Sequence, residues 1–122
     1  TNPLAGPSVY EDAIDRFRSL DKSYYDCLLS VNEVKNYLIY NGKPINFKPN
    51  PWTRSQDLKG MVELNFVVNI LKRENMVKWG SLVGEQPYYH IIPSEDSLDI
   101  DFPVDFELCE LIFKNRAKEV HF

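Results

Sequence analysis

The stretch LKGMVELNFVVNIL, residues 58–71, is the most apolar part of the chain, and its conformation decides the fold. Apolar and polar residues alternate along most of it, as in a strand with one buried face. The Thr53–Gln56 segment, however, matches a capping box, and the charged residues Lys72–Glu74 are typical of a helix end. We therefore predict a central, mostly buried helix over residues 55–74, with a strand over residues 61–71 as the alternative.

Two more helices are predicted upstream. Pro7 followed by the capping-box pattern Ser8–Glu11 marks the start of the first helix. Residues 28–42 predict a short second helix, because their apolar members share one face and the last residue is a glycine, as at many helix ends. The alternative is a β-hairpin within residues 36–47, whose Asn-Gly pair favours a type I′ turn. The proline-rich residues 43–54 form a loop in either case.

Shorter elements follow downstream. Residues 76–79 and 88–92 are rich in β-branched or aromatic side chains and predict two short strands, joined by a loop over residues 80–87. An acidic linker, residues 94–101, then leads to a C-terminal helix over residues 104–117.

The order of these elements resembles that of a winged helix. The phrase Ile70–Trp79, followed by Tyr88–Ile92, carries the resemblance, which covers about residues 8–92. It implies an α+β fold with a three-helix core and a short β-hairpin wing, followed here by the additional C-terminal helix. We expect a single domain over residues 1–122.

The composition is that of a globular protein. The chain has 122 residues, of which 43% are apolar and 26% charged, which excludes disordered and membrane-embedded classes. Cys27 and Cys109 lie in apolar contexts, so we expect reduced, buried thiols in the nucleus or cytoplasm. Because the chain begins at Thr1 without Met and ends in an apolar stretch at Phe122, we expect a module of a longer intracellular protein. No cofactor is predicted.

The charge is distributed unevenly along the chain. The net charge is −4, but residues 31–80 carry eight basic and four acidic residues, whereas residues 81–122 carry three basic and nine acidic residues. A basic centre of this kind favours phosphate contacts, and therefore DNA or RNA binding as one alternative function. The candidate contacts are Lys43, Lys48, Arg54, Lys72, Arg73 and Lys78.

A non-catalytic protein-interaction module is the function that the sequence favours. The polar stripe on the predicted helix over residues 55–74 is narrow, which suits packing against protein better than reading a DNA groove. Exposed aromatic side chains anchor protein interfaces, and the candidates are Trp52, Tyr88 and Tyr89. The expected partner is another protein or another segment of the parent chain, and no membrane partner is predicted.

The segment Leu98–Phe102 alternates apolar residues with aspartates. On a strand, Asp99 and Asp101 would share one face and could hold a divalent cation together. Together with Gly80–Ser81, this pattern is similar to paired motifs of nucleotidyltransferases, whose carboxylates hold metal ions for phosphoryl transfer. The favoured interpretation is an acidic linker that caps the last helix.

The remaining predictions concern the histidines and the end of the chain. His90 is expected in a strand and His121 in the tail, and neither has Cys or carboxylate neighbours at zinc-ligand spacing. A Cys–His nucleophile pair stays open, since such partners meet only in the fold. Residues 119–122 predict a short closing strand.

Overall fold

Strand β1, residues Cys27–Glu33, is the centre of the structure, a computed structural model that describes residues 1–120. In chain order the helices and strands are α1 (Pro7–Ser19), β1, β2 (Ile39–Tyr40), β3 (Lys43–Pro44), β4 (Val62–Leu71), α2 (Arg73–Trp79), β5 (Pro87–Ile91) and α3 (Pro103–Val120). The predicted α+β class is confirmed. His121 and the second half of the predicted closing strand lie outside the described residues, and residues 119–120 belong to α3.

β1 lies between β4 and β5 in a mixed three-stranded sheet. It runs antiparallel to β4 and parallel to β5, with Leu28 opposite Ile70 on one side and Tyr88 on the other. Every β1 residue from Cys27 to Asn32 is buried, as is typical of a strand that is covered on both faces. The core of the molecule therefore follows β1.

The predicted helix over residues 55–74 is wrong, and its strand alternative is correct. Residues 62–71 form β4, which pairs with β1 along most of its length. The capping signal acts only locally, because residues Ser55–Asp57 form a single 3₁₀ turn. β-Branched and aromatic residues favour a strand when a partner strand is available to pair with, and β1 is that partner.

The predicted short helix over residues 28–42 is also wrong. Its first half belongs to β1, and the rest leads into a hairpin formed by β2 and β3. Asn41 and Gly42 have φ angles of 49° and 77°, as the type I′ turn requires. Pro44 lies in the two-stranded sheet of this hairpin, where both strands are edges. The hairpin alternative within residues 36–47 is confirmed.

Residues 76–79 do not form the predicted strand, because they lie in α2, which Gly80 ends with a φ of 62°. Lys72 and Arg73 accordingly begin a helix instead of ending one. The strand predicted over residues 88–92 is confirmed as β5, but it pairs in parallel with β1. Among the described residues, the predicted wing does not form, and only the first of the three predicted core helices is present. A winged-helix arrangement is therefore not shown.

The first and last predicted helices are confirmed. α1 packs against β1 and β4 and buries Val9 and Ala13. Its N-cap is Gly6, so the capping box predicted at Ser8 does not form. None of the described helices is both long enough and apolar enough to cross a membrane.

α3 begins directly after the acidic linker, as predicted, and two regions of the chain hold it. Asp105 Oδ2 accepts hydrogen bonds from the backbone N–H groups of Asp101 and Phe102, at 3.0 and 2.9 Å, and so caps the helix start. Towards its other end, the Arg116 guanidinium donates to three acceptors. They are the carboxylates of Glu95 and Asp96 and the carbonyl of Leu4. Arg116 thus joins α3 to the N-terminal residues and to the segment after β5.

Candidate functional site

A cleft of about 500 Å³ opens at the carboxyl end of the parallel pair β1 and β5. The segments that follow these two strands, and the first residues of the antiparallel β4, meet at this edge of the sheet. In open α/β sheets, ligands bind outside the carboxyl ends of the strands. The polar residues that line the cleft are Asn32, Glu63, Asn65, Ser94, Ser97 and Asp99.

Asn32 joins the end of β1 to the segment after β5. Its side chain is 6% exposed, and its Nδ2 donates to the Ile92 carbonyl at 3.2 Å. Ser97 Oγ donates to Asn32 Oδ1 at 2.8 Å. Because a buried amide with satisfied hydrogen bonds fixes the groups around it, Asn32 and Ser97 form a rigid polar side of the cleft.

A bulge in β4 forms another side of the cleft. Within the β1–β4 pairing, one residue of β1, Ser30, faces four residues of β4, residues 65–68. Ser30 Oγ donates to Asn65 Oδ1 at 2.5 Å and accepts from the Val68 N–H at 3.0 Å. Asn65 Oδ1 also accepts from the Val67 N–H at 3.2 Å. Side chains thus satisfy the N–H groups of Val67 and Val68 within the bulge. Such bulges often redirect a side chain next to a functional site.

Phe66, inside this bulge, has a left-handed backbone with a φ of 56°. Bulky residues rarely adopt this region, and a residue held there costs on the order of 1–3 kcal/mol. Its side chain is 59% exposed and lines the cleft. The bulge therefore places an aromatic ring beside the polar groups of the cleft without burying it.

Asp99 lines the cleft, whereas Asp101 does not. Both lie in coil before α3, so the strand geometry considered for them is wrong. A hydrogen bond from the Thr1 ammonium lowers the pKa of Asp99, which is therefore ionised at neutral pH. Over residues 1–120, no group of three or more His, Cys, Asp or Glu side chains is placed to hold a metal ion.

Trp52 belongs to a cluster of three aromatic rings beside the β2–β3 hairpin. Its ring centroid lies 4.9 Å from that of Tyr37 and 5.3 Å from that of Phe47. The Trp52 side chain is 57% exposed, so it is not a buried lid on the core. We call the exposed apolar side chains of this segment the hairpin surface: Tyr37, Ile39, Tyr40, Ile45 and Trp52.

The other two predicted interface residues do not share one surface. Tyr88 and Tyr89 are neighbours on β5 and therefore point to opposite faces of the sheet. The Tyr88 ring packs edge-on against Tyr25 at 5.3 Å, and the Arg16 guanidinium lies 5.9 Å from its centroid. Tyr89 is half exposed. Tyr88 thus packs within the fold, and Trp52 and Tyr89 are the exposed members of the predicted set.

The predicted nucleic-acid contacts fall into two groups on either side of β4 in the chain. One group precedes β4 and consists of Lys43, Lys48 and Arg54, and the other follows it and consists of Lys72, Arg73 and Lys78. The two ends of β4 pair with the two ends of the seven-residue β1, so β4 spans roughly 20 Å. Arg54 already pairs with Asp57 at 2.9 Å, which raises the pKa of the guanidinium.

The nucleophile and histidine candidates have distinct surroundings. Cys27 and Cys109 are free and buried, as predicted, and burial raises the pKa of the Cys27 thiol to about 11. That thiol is protonated at neutral pH and is therefore a poor nucleophile. Burial, and then the nearby Arg16 charge, lowers the pKa of His90.

Sequence reasoning missed Asn32, Asn65, Ser97 and Phe66 as site residues. One signal was present, because Ser30 and Asn32 interrupt an otherwise apolar run in the central strand. Polar residues inside a buried strand need hydrogen-bond partners, and such networks often line sites. No residue type in the sequence predicts the left-handed backbone of Phe66.

Comparison with protein families finds no family that matches the chain. Among curated proteins, the chain is similar to "Post-translational flagellin modification protein B" of Campylobacter coli. The two are 22% identical over 111 residues, which cover 86% of this chain and 47% of that protein. The chain thus spans about half the length of the curated relative it matches.

Proposed function

We propose that the cleft binds a small, hydroxyl-rich molecule such as a sugar, and that the chain is part of a protein that uses this molecule to modify another protein covalently. The observation that carries the proposal is the position of the cleft. It lies at the carboxyl end of β1 and β5, where Asn32, Asn65 and Asp99 converge. Small-molecule sites are concave and hold a few convergent polar groups of this kind.

The chemistry of the lining suits hydroxyl groups. The carboxylates of Glu63 and Asp99 accept hydrogen bonds from O–H donors. Asn65 lines the cleft, but its Nδ2 is buried and has no hydrogen-bond partner among the described residues, so a ligand reaches this donor only if the Asn65 side chain turns. None of the described lining residues is basic, which disfavours a negatively charged ligand unless a cation accompanies it.

The similar protein supports the second part of the proposal. Its name assigns it to post-translational modification of flagellin. Sugars are among the groups that proteins carry as covalent modifications. We extend this class of reaction to the present chain as a proposal. Because the chain spans about half of that relative, the activity is proposed for the whole protein to which the cleft belongs.

Titration with methyl glucopyranoside, followed by NMR, tests the cleft. We expect chemical-shift changes at Asn32, Asn65 and Ser97. We also expect Asp99→Asn to weaken the affinity for the glucoside about tenfold, because a hydrogen bond to a charged acceptor is lost. Asp15→Asn, an exposed change on α1, is the matched control and should leave the affinity unchanged. Shifts confined to other regions, or an unchanged affinity in Asp99→Asn, would contradict the proposal.

The same titration with glucuronate and MgCl₂ tests the predicted cation ligands. Mg²⁺ in proteins is commonly held by one or two carboxylates together with ligand oxygens and water. We expect glucuronate to bind only in the presence of Mg²⁺ and Asp99→Asn to abolish that binding, whereas Asp101→Asn should retain it, because Asp101 does not line the cleft. Binding that needs Mg²⁺ but survives in Asp99→Asn, or that is lost in Asp101→Asn, would contradict this placement of the cation.

Protein interaction through the hairpin surface is a second candidate function. The observation that favours it is the exposed Trp52, which is held against Tyr37 and Phe47 by ring contacts and is therefore preorganised. We expect Trp52→Ala to reduce partner capture from native extract about tenfold or more, and Tyr24→Ala, an equally exposed aromatic residue elsewhere, to leave it unchanged. Equal capture by both variants would exclude the hairpin surface.

A further inference from the structure

We infer that Phe66 selects, among the hydroxyl-rich ligands of the cleft, those with a flat apolar ring face, so that a pyranose binds better than an open-chain polyol. The inference rests on the proposed function. Two observations at the same residue support it. The Phe66 backbone is left-handed within the bulge of β4, and its exposed ring lies beside the polar groups of the cleft.

Core packing does not account for this conformation. The Phe66 side chain is 59% exposed, so its burial contributes little to folding. Glycine would adopt the same backbone angle without steric strain. Strained residues of this kind persist chiefly at active sites and ligand clamps.

The bulge also holds its shape without the Phe66 side chain. Ser30 Oγ accepts from the Val68 N–H, and Asn65 Oδ1 accepts from the Val67 N–H. A further hydrogen bond joins Ser30 to Asn65. The ring of Phe66 makes none of these contacts. Its position is therefore explained by what it presents to the cleft.

An aromatic ring beside polar groups distinguishes ligands by shape. A pyranose has a face of C–H groups that packs against an aromatic face, while its hydroxyls project at the ring edge towards partners such as Asp99 and Ser97. An open-chain polyol such as sorbitol offers the same hydroxyl chemistry but no flat face. Hydrogen bonding alone would give the two ligands similar affinities, whereas stacking on Phe66 would favour the pyranose.

The test compares Phe66→Gly with Leu82→Ala, which truncates an exposed apolar side chain outside the cleft. Methyl glucopyranoside and sorbitol are titrated into each protein, and denaturation midpoints are measured without ligand. We expect the parent protein to prefer the pyranoside. Phe66→Gly should raise the midpoint, weaken pyranoside binding about tenfold and leave sorbitol binding unchanged, whereas Leu82→Ala should retain the preference.

The outcomes separate this inference from the proposed function. Equal affinities of the parent protein for the two probes, or a preference that survives in Phe66→Gly, overturns the role of Phe66 while the cleft still stands as a binding site. No binding of either probe overturns the proposed function and the inference with it. A lower midpoint in Phe66→Gly also overturns the inference, because the ring would then be needed for folding. Phe66→Tyr keeps the ring and should keep the preference.

Discussion

Replacing Leu28 with alanine is expected to lower the free energy of unfolding by about 2–5 kcal/mol. Leu28 is fully buried near the start of β1, opposite Ile70 of β4 and Tyr88 of β5. The truncation removes apolar contacts and leaves a cavity beside the strand that pairs with both β4 and β5. Because the surrounding side chains are closely packed, they fill this cavity only in part. Since a domain of this size is stable by about 5–15 kcal/mol, the loss is a large fraction of the total.

Urea denaturation followed by far-UV circular dichroism measures this loss. The matched control is Ile39→Ala, which makes the same kind of truncation at a side chain that is 66% exposed on β2 and should cost less than about 0.5 kcal/mol. Equal losses in the two variants would mean that β1 is not the centre of the core.

The elements that were predictable from the sequence are those with local signals. The Asn41–Gly42 pair specifies its own turn, because both residues must adopt positive φ angles, and the hairpin forms there. The C-terminal helix forms after its acidic linker and is capped by Asp105. In both cases residues a few positions apart determine the structure.

The central strands were not predictable in the same way. Residues 28–33 and 62–71 are apolar segments that suit either a buried helix or a buried strand, and each becomes a strand because it pairs with the other. The parallel pairing of β5 with β1 is still less local, because Leu28 and Tyr88 lie sixty positions apart. Periodicity within one segment contains no information on such partners.

The cleft depends on the same distant pairings. Asn32 and Ser97 become neighbours only because β5 runs alongside β1 and the chain then turns back over the end of the sheet. The Asp99–Asp101 pattern was recognisable as a candidate, but its geometry was not, because it lies in coil and only Asp99 reaches the cleft. The bulge at Phe66 is set by pairing on both sides of it.

Replacing Gly84 with alanine is expected to destabilise the protein by about 2–4 kcal/mol, because the new methyl group has no room beside Asp26. A Cβ at Gly84 would lie 2.7 Å from Asp26 Cγ and 2.9 Å from Oδ2, closer than van der Waals contact allows. The carboxylate is not free to move, since Oδ2 accepts the backbone N–H groups of Glu85 and Gln86, each at 3.0 Å. Moving it would break both hydrogen bonds, which attach the loop before β5 to the residue that precedes β1.

A double-mutant cycle with Asp26→Ala isolates this contact. Asp26→Ala removes the obstructing carboxylate, so the Gly84→Ala change should cost much less in that background, with a coupling of about 1–3 kcal/mol in chemical denaturation. Gly6→Ala is the control, since a Cβ there meets no atom within 4 Å and the φ is −88°, and it should cost below about 1 kcal/mol. Additive losses would show that the steric conflict with Asp26 is not the cause. A Gly84→Ala protein as stable as the parent would mean that the loop over residues 80–86 does not pack on Asp26 in solution, and the start of the parallel pair would then be held by β1 and β5 alone.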